Sequence, residues 1–76
     1  MCGIIGINSN KSVSSSIINS LKKLEYRGYD SAGIATLSDG LINEVKSEGR
    51  VDNLEKNSLV QSMEGTIGIG LSLIHI

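Results

Sequence analysis

Two stretches of this 76-residue sequence carry residue types that do chemistry. The first is Cys2, the one cysteine of the chain, directly behind Met1. Removal of Met1 would leave a thiol and a free α-amine on the same residue, a self-contained unit of nucleophile and general base. The reference pKa values suit the task, about 8.5 for the thiol and about 7.7–8.0 for the amine. With Met1 retained, that nitrogen is an amide without useful basicity and the unit does not exist. The competing reading is a small packed residue, which is how most free cysteines behave. The second stretch is Arg27-Gly28-Tyr29-Asp30-Ser31-Ala32-Gly33. Its arginine has the planar fork that fixes a carboxylate, and its aspartate can accept backbone amides or pair with Arg27. A helix stop followed by an Asx-type turn accounts for the same residues without a ligand. Taken alone, neither stretch decides between the two readings.

A reactive terminus needs an anchor, and the residues after Cys2 provide one. Gly3-Ile4-Ile5-Gly6-Ile7 is a short β-branched run ended by Asn8-Ser9-Asn10, which predicts a buried strand. Val13, Ile17, Leu21 and Leu24 then recur at helical spacing. They predict an amphipathic helix over 13–26 with Ser12 as N-cap, Lys22 and Lys23 at the negative end of the dipole, and Gly28 as the left-handed stop. Ala32 to Leu37 reads as a second strand and Ser38-Asp39-Gly40 as a tight hairpin turn. Leu41 to Lys46 is a half-polar return strand exposed on one face and closed by Ser47-Glu48-Gly49. A weaker helix follows over Val51 to Met63, carried by Val51, Leu54, Leu59 and Met63 and interrupted at Asn57-Ser58. Gly65 to Gly70 reads as a last buried strand. The order β-α-β-β-α-β predicts an α+β sheet covered by helices.

Composition narrows the classes. Phe, Trp and Pro are absent and Tyr26 and Tyr29 are the only aromatics, so the core must be aliphatic. One cysteine and one histidine, at opposite ends, make neither a disulfide nor a metal centre. A net charge of −1 gives no electrostatic footprint for nucleic acid or an anionic membrane. No signal peptide is legible, and the apolar run Leu71 to Ile76 is too short to span a bilayer. The expected setting is soluble, cytoplasmic and reducing. Gly65-Thr66-Ile67-Gly68-Ile69-Gly70 lacks the spacing of a dinucleotide fingerprint. The alternating Glu and Lys residues between 44 and 56 read as a solvated face.

Read together, the motifs resemble a known family. Cys2-Gly3-Ile4 at a chain start is similar to class II glutamine amidotransferases in general. The run Leu24-Glu25-Tyr26-Arg27-Gly28-Tyr29-Asp30-Ser31-Ala32-Gly33-Ile34-Ala35 resembles more specifically the glutamine–fructose-6-phosphate aminotransferase (isomerising) family. Gly49-Arg50-Val51-Asp52-Asn53-Leu54 and Gly65 to Gly70 are similar to that family's next segments. The resemblance implies a partial N-terminal-nucleophile αββα sandwich, with residues 1–70 the first part of a type 2 amidotransferase domain. It implies loss of Met1, attack of Cys2 on the side-chain amide of L-glutamine, a γ-glutamyl thioester, and release of ammonia and glutamate. The ammonia would convert fructose 6-phosphate to glucosamine 6-phosphate in a separate isomerase domain of a homo-oligomeric enzyme. Gly3, Arg27, Gly28 and Asp30 are implied supports of the site, and no metal or organic cofactor is implied. A different class II amidotransferase, such as one similar to the amidophosphoribosyltransferases, and a non-catalytic module with Cys2 merely packed remain alternatives.

After Gly70 the family pattern continues His-Thr-Arg-Trp-Ala-Thr-His-Gly, whereas this sequence reads Leu71-Ser72-Leu73-Ile74-His75-Ile76. Residues 71–76 are therefore expected to be a tail foreign to the family, with His75 an incidental histidine. The asparagine-glycine oxyanion pair and the acidic residue for the glutamine amino group have no counterpart here. An oxyanion donor is worth about 10²–10³ in rate, so these 76 residues alone are expected to be nearly inert. Unpaired strand edges and apolar faces also predict poor folding or aggregation.

Overall fold

A computed structural model describes residues 3–25 and 30–73. The element order is β1 (Gly3–Asn8), α1 (Ser14–Leu24), β2 (Ser31–Ser38), β3 (Leu41–Glu48), α2 (Val51–Glu55), α3 (Ser58–Gln61) and β4 (Ile67–Leu73). The strands form one four-stranded sheet in the order β1-β4-β2-β3, every neighbouring pair antiparallel. The last strand therefore inserts between the first two, and β4 and β2 are the central strands. The predicted α+β class is observed, with the helices gathered on one face of the sheet.

Local chemistry explains most of the elements. The β2–β3 hairpin turns on Asp39 and Gly40, both at positive φ (52° and 77°), the pairing a two-residue type I′ turn demands. Helix α1 buries Ser14, Ile17, Ile18 and Leu21 against β1, β4 and β2. At about 1.5–3 kcal/mol for each large aliphatic chain removed from water, those three apolar residues outweigh the poor propensity of its serines. The predicted face needs correction at its end: Leu24 is half exposed and Ile18 takes its place in the core. The predicted cap differs too. Val13 occupies the N-cap position without a side-chain bond, and the Ser12 hydroxyl donates to the Met63 carbonyl at 3.0 Å. Ser12 thus ties the helix start to the segment before β4.

The predicted helix over Val51 to Met63 is two short helices. The Asn57 side chain accepts the amide of Leu59 at 2.9 Å and starts α3 afresh, a local bond that competes with helix continuation. Val60 rather than Leu59 enters the core as a result, beside Val51, Leu54 and Met63. Strand β3 is more exposed than a half-polar strand need be, with Val45 its one buried residue.

The largest correction concerns β4. Its buried positions are Gly68, Gly70 and Ser72, while Ile67, Ile69, Leu71 and Leu73 face away from the helices. Glycine is required there because α1 lies directly on the strand. A methyl at Gly70 would stand 2.5 Å from Ile17 Cγ2, and one at Gly68 would stand 2.8 Å from Ile17 Cδ1. The opposite sheet face then carries an apolar patch of Ile4, Leu37, Ile42, Ile67, Ile69, Leu71 and Leu73, all substantially exposed. Nor does the strand stop at Gly70. Leu71, Ser72 and Leu73 continue it in register with both neighbours.

Candidate functional site

Cys2, Arg27 and Gly28 lie outside the described residues, as do Tyr26, Tyr29 and His75. Gly3, which follows Cys2, and Asp30, within the Arg27–Gly33 stretch, are described, and the sheet brings them to the same end. Gly3 pairs with Ser72 on β4, Ser72 pairs with Ala32 on β2, and Leu73 pairs with Ser31. The N-terminal ends of β1 and β2 therefore flank the C-terminal end of β4. Antiparallel pairing on both sides of β4 is what makes two strand starts coincide. The topology thus delivers the residue after Cys2 and Asp30 of the Arg27–Gly33 stretch to one end of the sheet.

Backbone bonds hold that end of the sheet. The Asp30 amide donates to the Leu73 carbonyl at 2.8 Å, and the Asp30 carbonyl accepts the Gly49 amide at 2.8 Å. Gly49, at φ 88°, ends β3 in a conformation that suits glycine. Asp30 is in this way pinned between β4 and β3. On the β1 side the Gly3 amide donates to the Ser72 hydroxyl at 3.1 Å, and that hydroxyl donates weakly to the Gly3 carbonyl at 3.4 Å. Ser72 has no exposure to solvent. Sequence reasoning placed it in a foreign tail and assigned it nothing. Its signal was legible only as a small polar residue at period two after Gly68 and Gly70.

A second anchor stands behind the 26–29 stretch. The Glu25 side chain is 5% exposed, pairs with Arg50 at 3.2 Å and accepts the Val51 amide at 3.1 Å. One carboxylate fixes both the residue before Tyr26 and the first turn of α2. Lys22, one turn earlier, reaches Glu55 at 2.6 Å and Asp52 at 3.7 Å. Its hydrogen bond to Glu55 raises the ammonium pKa above the ordinary 10.5.

A hollow of about 160 Å³ opens on the apolar face at the same sheet end, lined by Ser31, Ala32, Gly33, Lys46, Leu71 and Leu73. A second, of about 240 Å³, lies at the hairpin end beside Ser38, Asn43 and Met63, away from Gly3 and Asp30. Among the described residues no cluster of His, Cys, Asp or Glu could hold a metal ion. No described helix is long and apolar enough to cross a membrane.

No family model matches the chain. Individual relatives do. The chain is 53% identical over 70 residues to the glutamine–fructose-6-phosphate aminotransferase (isomerising) of Brucella abortus, and equally so to that of Clostridium acetobutylicum. It is 51% identical over 70 residues to the enzyme of the same name from Bartonella quintana. Each match covers 92% of this chain and 12% of the relative, so the chain spans about an eighth of the length of these proteins.

Proposed function

We infer that this chain belongs to the glutamine–fructose-6-phosphate aminotransferases and forms the opening part of their glutamine-hydrolysing domain. The observation that carries this reading is the identity of about one residue in two over 92% of the chain to proteins of that name. The sheet end shared by Gly3 and Asp30 supports it, because the residues that follow Cys2 and Arg27-Gly28-Tyr29 in sequence lie together there.

In this reading Met1 is removed and the α-amine of Cys2 takes the thiol proton. The thiolate attacks the side-chain carbonyl of glutamine. A carbon–sulfur bond forms, the carbon–nitrogen bond breaks, and the amine returns its proton to the leaving ammonia. Water then hydrolyses the γ-glutamyl thioester, giving glutamate and the free thiol. Arg27, Gly28 and Asp30 shape the glutamine pocket, Arg27 offering its fork to a carboxylate. Gly3 lets backbone and substrate approach closely. Fructose 6-phosphate is the acceptor in a separate isomerase domain of a cytoplasmic homo-oligomer, and no metal or organic cofactor takes part.

Residues 1–70 supply the first part of the amidotransferase domain. Leu71 to Leu73 complete its fourth strand although their sequence departs from the family pattern. The apolar sheet face of Ile4, Ile69 and Leu71 takes the second sheet of an αββα sandwich. The test is glutamate release in the longer enzyme carrying this sequence. Cys2→Ser abolishes it while use of free ammonia with fructose 6-phosphate persists. Full glutamine hydrolysis by Cys2→Ser would refute the assignment.

A further inference from the structure

We propose that two copies of this chain pack face to face, each setting its β4 ridge into the β2 groove of the other. The helix-free face of the sheet has relief. On β4 it carries Ile67, Ile69, Leu71 and Leu73, 44% to 52% exposed. On β2, the other central strand, it carries Ser31, Gly33 and Ala35, which stand beside Leu73, Leu71 and Ile69 in register. Large side chains on one strand and small ones on its neighbour make a ridge and a groove. Two hollows of about 90 and 160 Å³ trace the groove, and Gly33, Lys46 and Leu71 line both.

The strand order makes this surface complementary to itself. β4 and β2 occupy the centre of β1-β4-β2-β3. A two-fold axis parallel to the strands, above the line between these two, therefore places the partner's β4 over β2 without shifting residues along the strands. Ile69 then meets the partner's Ala35, Leu71 the partner's Gly33 and Leu73 the partner's Ser31. Ile4 comes over the aliphatic stem of the partner's Lys46. An axis across the strands would stack ridge on ridge, so the relief selects one geometry, the aligned packing of two sheets about 10 Å apart. The resulting order of helices, sheet, sheet and helices rests on the sandwich reading above and names a second copy as the source of the second sheet.

The size of the face fits this occupant. Its apolar residues, 40% to 73% exposed, leave on the order of 700 Å² open, close to the ~800 Å² that each partner contributes to a stable dimer. The charges beside Gly33 and Ala35, on Lys46 and Glu44, pair with each other at 3.5 Å, so the groove favours an apolar occupant.

Sedimentation equilibrium of the 76-residue chain tests this with a pair of exchanges. Ala35→Ile fills the groove while adding apolar surface, and Ile69→Ala removes the ridge residue that enters it. Isoleucine suits a strand better than alanine, so Ala35→Ile should keep its fold, with circular dichroism as the check. Gly33→Ala is a second groove-filling variant, since its methyl would stand an ordinary 3.4 Å from Lys46 Cγ. Wild type should form a discrete dimer, which Ala35→Ile and Ile69→Ala should each weaken by about tenfold or more. The double variant exchanges ridge and groove between register partners and should return to within about threefold of wild type. A monomeric wild type, or open-ended aggregation, would overturn the proposal. So would equal or tighter association of Ala35→Ile, the mark of undirected hydrophobic contact, or a double variant no stronger than the single ones. Glutamate release by the longer enzyme tests the functional reading separately and is untouched by these outcomes.

Discussion

Glu25 and Val51 are joined by a hydrogen bond of 3.1 Å from the Val51 amide to a carboxylate whose side chain is 5% exposed. The bond does two jobs at once. It satisfies an orphan amide at the start of α2, where the helix dipole favours negative charge, and it fixes the residue that precedes the 26–29 stretch. Removing the carboxylate should cost about 1.5–3 kcal/mol, the range for a hydrogen bond to a charged group. Chemical denaturation of Glu25→Ala checks this, and Arg50→Ala should cost far less because Arg50 is 61% exposed.

Gly70 and Gly6 make opposite predictions from the same substitution. An added methyl at Gly70 meets Ile17 at 2.5 Å, Leu21 at 3.1 Å and Ile5 at 3.2 Å, whereas at Gly6 the nearest atom is 3.9 Å away. Gly70→Ala should therefore destabilise the chain by about 1–3 kcal/mol through overpacking. Gly6→Ala should be within about 0.5 kcal/mol of wild type. Thermal melts of the two variants side by side decide the point.

These glycines also show where sequence reading reached its limit. Val13, Ile17 and Leu21 declared their helix because a spacing of four is a property of one segment. The Asp39-Gly40 turn was equally legible, since its positive φ angles select those residue types. Strand β4 was read correctly as a strand, but as a buried one, whereas one of its faces is exposed. In Thr66-Ile67-Gly68-Ile69-Gly70 the bulky residues suggest the core, yet the inward face follows from how near α1 lies, which no local pattern encodes. Ser72 was missed for the same reason: its partner, Gly3, is 69 positions away in sequence. For the chemical stretches, sequence supplied residue types, and the strand order supplied the fact that Gly3 and Asp30 lie at one end of the sheet.

Ile69 and Leu71 project from the helix-free face of the sheet, 52% and 44% exposed. A continuous apolar surface of this kind drives association in water. The 76-residue chain should self-associate at micromolar concentration, and Ile69→Lys with Ile4→Lys should shift it toward monomer. Sedimentation velocity distinguishes the two, and a monomeric wild-type chain would count against an interaction role for this face.

Lys22 links α1 to α2 through Glu55 and Asp52, and the Glu55 bond raises its pKa above 10.5. A group whose folded pKa is raised contributes stability that is fully present below the unfolded value. That contribution is lost as pH rises through the folded value. The Lys22 contribution should therefore be constant at neutral pH and disappear on the alkaline side of 10.5. Denaturation of Lys22→Met against wild type should show a gap at pH 7 that closes above that point and narrows in high salt.

The central claim is that Cys2 works as nucleophile with its own α-amine as base, and the intact mass of the purified protein tests it most directly. The account predicts the mass of a chain beginning at Cys2. A mass that includes Met1 would leave an amide where the base must be, and would contradict it.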